Sequence, residues 1–149
     1  MMEKRLIIMK DVANQMKVAY VNAKNNVLKS VWPETKGNIV ENSVFLTSQK
    51  ESILYYSKGN EIFRYNFESD GNFPGSSDYT VGEEGDIVKG MMLDPQEKNL
   101  YVALDAAGNQ EYKGCVYCYD VATKSLKRKE RGVAGEIVQM IYKEQKQTN

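Results

Sequence analysis

The chain has 149 residues, with 20 basic and 20 acidic side chains, two cysteines and no histidine. Balanced charge and a pI of about 6.4 exclude the basic field that draws a protein to nucleic acid. A composition of 42% hydrophobic and 27% charged residues excludes a disordered chain. Apolar runs of at most five residues are too short to form a membrane-spanning helix. Without histidine the commonest general base and metal ligand are missing.

A secretory leader needs about 7–15 apolar residues after its positive start. Here only Leu6 to Met9 qualify before Lys10 and Asp11, and no lipid-bearing cysteine lies nearby. The sequence as given therefore predicts a cytoplasmic chain; a piece of an exported protein would instead sit in the periplasm or at the cell surface. Arg5 to Met9 reads as a strand, as do residues 17–22 and 27–32. Trp32, before Pro33, ends the third of these and reads as packing between sheets, with a sugar-stacking platform as the sharper alternative.

Three segments then share one pattern: Gly37-Asn38-Ile39-Val40, Gly85-Asp86-Ile87-Val88 and Gly135-Glu136-Ile137-Val138. Ile39 and Ile87 are 48 residues apart, and Ile87 and Ile137 are 50 apart. Each opens an apolar run: Val44-Phe45-Leu46, Met91-Met92-Leu93 and Met140-Ile141-Tyr142. A second strand follows in both complete copies, Ile53 to Tyr56 and Leu100 to Ala103. The third strands are Ile62 to Asn66 and Val116 to Asp120. Val18 to Val40 aligns without a gap on Val116 to Val138, at an offset of 98. Such self-similarity is the mark of a repeat architecture.

Each repeat reads as four strands, A to D. Strand C ends in Asn or Asp, whose side chains bond the turn that follows. Strand D is polar, as in Leu126 to Arg131. That reading turns the basic run Lys124–Arg131 into a solvated outer edge rather than a polyanion patch, since charge on an edge strand discourages foreign pairing. It also bears on Cys115 and Cys118. In a strand, residues three apart face opposite ways, so the pair neither closes a disulfide nor halves a zinc site. Asp70-Gly71-Asn72 lacks the other ligands of a calcium loop. Asp94-Pro95 opens a turn, and no phosphate or dinucleotide motif is present.

A period near 50 with four strands per unit predicts an all-β fold of antiparallel propeller-type blades, about three per chain. The divisions are a partial blade over 1–36, blades over 37–84 and 85–134, a closing inner strand over 135–143, and a tail over 144–149. Three blades fall short of the usual ring. A homodimer exchanging terminal strands would close six. A β-sandwich is the alternative, without a reason for the period. On a propeller the D–A and B–C connections gather at one end. The candidate ligand-binding residues there are Lys58, Asn60, Glu83, Glu84, Asp86, Asn109 and Tyr112. No catalytic residue, metal ligand or cofactor site is identified.

The strand text Asn99 to Ala103 and Val116 to Lys124 resembles propeller repeats of the kelch, YVTN or NHL-like sort. The stretch Gly135 to Lys143 is similar to the C-termini of PKD-like-family lipoproteins of Bacteroidota. That resemblance implies a role near polysaccharide uptake. It departs in the export signal, the lipid-bearing cysteine and the Ig-like part. The reading is thus a non-enzymatic scaffold for a glycan or protein ligand. The alternatives are a propeller lyase or hydrolase, and a truncated non-functional fragment.

Overall fold

A computed structural model describes residues 4–22, 28–29, 35–108 and 110–143. No helix occurs among them, and the strands form three antiparallel sheets. The first contains β1 (Lys4–Lys10), β2 (Met16–Asn22) and β3 (Leu28–Lys29). The second contains β4 (Phe45–Thr47), β5 (Ile53–Lys58), β6 (Glu61–Asn66) and β7 (Tyr79–Thr80). The third contains β8 (Ile87–Leu93), β9 (Asn99–Asp105), β10 (Gly114–Asp120) and β11 (Leu126–Ala134). Spatial order follows chain order in every sheet. The strands close no barrel or ring among the described residues.

The second sheet lies between the other two. Ile53, Tyr55, Ile62 and Tyr79 share a core with Leu100, Val102, Leu104, Cys115, Tyr117 and Tyr119 of the third sheet. The alternate residues Leu54, Tyr56, Phe63 and Tyr65 pack instead with Val18 of the first sheet, Ile39 and Phe73. Successive strand residues face opposite ways, so β5 is buried on both sides and reads as a continuous apolar run. Between the second and third sheets the backbones approach most closely where β4 and β5 meet β8. Farther out the gap is filled by tyrosines, with the Tyr79 and Tyr119 rings 5.4 Å apart.

The turns behave as their residue types dictate. Asn66 Oδ1 accepts the amides of Glu68 and Ser69, and Asp120 Oδ1 accepts that of Thr123. Asp94 Oδ1 accepts the Lys98 and Asn99 amides, and Asp70 Oδ2 accepts that of Asn66. Cys115 is buried and Cys118 half-buried, both as free thiols on opposite faces of β10. The residues of β11 are exposed along most of its length, as an outer edge requires.

Three expectations change. The apolar run after Gly37 enters a strand only at Phe45, with Ile39 buried ahead of it. The strand expected over 27–32 is described only at Leu28–Lys29, and Trp32 lies outside the described residues. Residues 135–143 form no strand. They run over the outer face of the third sheet, where Met140 Cε stands 3.7 Å from the Cβ position of Gly90. A strand needs a partner for its amides and carbonyls, and among the described residues this segment pairs with none.

Candidate functional site

The connection from β7 to β8 is the hinge of the candidate site. The Val81 amide donates to the Asn60 carbonyl at 2.8 Å, and the Val88 amide to the Gly59 carbonyl at 2.9 Å. Asn60 Nδ2 donates to the Glu83 carbonyl at 3.2 Å. These bonds fasten the connection to the β5–β6 turn, a two-residue hairpin in which Gly59 takes φ 60°.

Asp86 fastens the same connection to the third sheet. Its carboxylate accepts the Glu83 amide and the Ala107 amide, each at 2.8 Å. The Arg131 guanidinium reaches it from β11 at 2.8 Å and also donates to Tyr117 Oη at 2.9 Å. Burial alone would raise the Asp86 pKa, but Arg131 and the two amides outweigh it and hold the carboxyl below its ordinary value. The same pairing raises the Arg131 pKa. Gly82, at φ 73°, completes the knot, because a Cβ there would collide with the Asp86 carboxylate.

Of the residues named from sequence, Lys58, Asn60, Glu83, Glu84 and Asp86 thus come together at one end of the stack. Lys58, Glu83 and Glu84 are exposed, whereas Asp86 is only 2% exposed and serves the framework. Tyr112 lies in the β9–β10 connection and is 59% exposed, with its carbonyl and Cβ near Gly132 of β11. Asn109 lies outside the described residues.

Sequence reasoning missed Arg131, reading it as one more charge of the edge run. Its signal was position: it is the residue before Gly132, where β11 passes the β9–β10 connection. Asp105 was also missed. Lys89 and Lys113 flank its Oδ2 at 3.9 and 3.7 Å, while its Oδ1 is buried without a hydrogen-bond partner.

Clefts open between the sheets at both ends of the stack. One, of about 930 Å³, lies between the first two sheets at the same kind of end, lined by Lys10, Lys17, Lys36, Ile39 and Glu41. The other, of about 570 Å³, lies at the opposite end, lined by Glu51, Arg64, Glu97, Lys98 and Lys124. Most of these charges are paired: Lys10 with Glu41, Lys17 with Asp11, Arg64 with Glu51 and Lys124 with Asp78. No cluster of three potential metal ligands occurs among the described residues. No protein-family model matches the chain, and searches of curated proteins and of solved structures return no match.

Proposed function

We propose that the chain is a non-enzymatic, propeller-type scaffold whose loop end binds a ligand, with a glycan as the first class to test. One observation carries this: the β7–β8 connection is hydrogen-bonded to the β5–β6 turn on one side and the β9–β10 loop on the other. Loops from adjacent repeats thereby form one continuous surface on a rigid frame, the arrangement in which loops carry binding. Sheets stacked face to face in chain order, with inner strands converging and tyrosines filling the outer gap, favour blades over a sandwich.

The chemistry at this end suits recognition better than proton transfer. Asp86 is paired, buried and held ionised, so it neither donates nor takes a proton near neutral pH. The exposed Tyr112 offers an aromatic face to stack on a sugar, and the exposed Glu83, Glu84 and Lys58 offer polar groups in the connections at the same end of the stack.

Glycan-array screening followed by titration calorimetry tests the reading. Tyr112→Ala and Glu84→Lys should each weaken binding by about tenfold or more, roughly 1.4 kcal/mol, with circular dichroism unchanged. Release of cleaved product from a glycan, lost in Glu83→Gln with Glu84→Gln, would replace the scaffold reading with the enzymatic one.

A further inference from the structure

Among the described residues, the first sheet has three strands where the other two have four. In those two, β5 is paired on both sides by β4 and β6, and β9 by β8 and β10. The strand in the equivalent place, β1, pairs only with β2 among the described residues. By the repeat, the place beside β1 that no described strand fills is that of an A strand. The chain also holds an A-strand sequence that belongs to no sheet, Gly135-Glu136-Ile137-Val138 and the apolar residues after it. Its side chains are divided. Ile137 and Met140 are half-buried against the third sheet, whereas Val138 and Ile141 are 89% and 76% exposed. Ile7, on the outer face of β1, is also exposed.

We propose that residues 136–142 of one chain add as a strand to the open edge of β1 of a second copy, and that the reciprocal exchange joins two chains. The inference rests on reading each sheet as one repeat. A second copy is the occupant because the segment lies on the outer face of the third sheet, and β1 belongs to the first. The second sheet stands between those two, so one chain's own segment and its own β1 are on opposite sides of the stack.

The repeat fixes the register. Val88 pairs with Leu104 and Met91 with Val102. Leu104 pairs with Cys115, and Met9 with Lys17, which aligns on Cys115 at the offset of 98. Met9 therefore stands where Leu104 stands, and Ile7 where Val102 stands. Adding 50 to the β8 positions sets Val138 opposite Met9 and Ile141 opposite Ile7. The exposed apolar residues of both partners are thus placed against one another, with the unpaired backbone edge satisfied. A two-fold pair of such exchanges is isologous and closed.

Light scattering at micromolar concentration should give the mass of two chains. The V138D/I141D variant should give the mass of one, and because both side chains are exposed in the single chain, it should stay folded, its circular dichroism losing no more than the signal of the added strand. Separately tagged M9C and V138C chains, both carrying C118S, should form a mixed disulfide between chains on mild oxidation. A wild-type mass of one chain overturns the proposal, as does a dimer that survives V138D/I141D or the absence of a mixed disulfide between the tagged M9C and V138C chains. Failure of the repeat reading looks different: β5 and β9 amides would exchange freely with solvent in the wild-type chain, whatever its mass.

Discussion

Asp86 is buried and charged, a combination that costs several kcal/mol unless every lone pair is occupied. Here two amides and a guanidinium occupy them. Its folded pKa lies below that of an unfolded aspartate, about 3.9. The stabilisation is therefore complete above that unfolded value and is lost as pH falls through the folded one. Asp94, held low by the Asn99 and Lys98 bonds against its burial, adds to the same acid limb. Denaturant midpoints measured from neutral to acid pH should fall on that limb, and Asp86→Asn should flatten it while lowering neutral stability by about 1–3 kcal/mol. Gly82→Ala should be comparably harmful, since it adds both a left-handed alanine and the collision with Asp86. Tyr56 predicts the opposite sign. Its Oη is buried with no hydrogen-bond partner, and burial pushes its pKa well above the ordinary phenol range. Tyr56→Phe removes an unsatisfied group while keeping the ring against Phe63 and Phe73. Its unfolding midpoint should equal or exceed the wild-type value, by up to about 1 kcal/mol.

At the scale of the strand, polarity decides which edges stay alone. Lys129 and Glu130 are exposed on β11, opposite Tyr117 and Val116, and they interrupt what would otherwise be a sticky edge. Replacing both with valine should leave the unfolding midpoint within about 0.5 kcal/mol, as surface changes do, yet raise light scattering on prolonged incubation. A soluble double variant would show that charge is not what protects this edge. Elements of this kind were legible in the sequence because alternation and turn residues are local signals. The β9–β10–β11 meander and the Asn66 and Asp120 turns are where the pattern put them. The segment over 135–143 carries strand propensity in its text but forms no strand within the single chain, because a strand also needs a neighbour, which is not a local property. Asp86 lies in the connection that the repeat singled out, but its burial depends on Arg131, 45 residues away, and no spacing rule announces such a pair. The gathering of Lys58, Asn60, Glu83 and Glu84 followed from the repeat alone; whether each would be exposed did not.

Across the whole molecule, the second sheet is common to both cores, and this makes stability directional. Leu54 faces the first sheet, and Leu100 packs in the core between the second and third. Either change to alanine removes a fully buried side chain, at a cost of about 2–5 kcal/mol. In a stack where each layer touches only its neighbours, that loss is felt first by the layers that share the damaged core. Among the described residues, the first sheet is held by the core containing Val18 and by the exposed Lys10–Glu41 ion pair, whereas the third is bound by the larger cluster, by Asp86 and by the Ser48–Glu97 and Gln49–Glu97 bonds between turns. Hydrogen exchange should therefore report β1 and β2 opening before β9 and β10 in the wild-type chain. Leu54→Ala should widen that gap by releasing the first sheet early. Leu100→Ala should narrow it, because it weakens the better-held side. A single exchange rate across all three sheets in both variants would mean that the stack opens only as a unit, with the inter-sheet contacts as strong as those within each sheet.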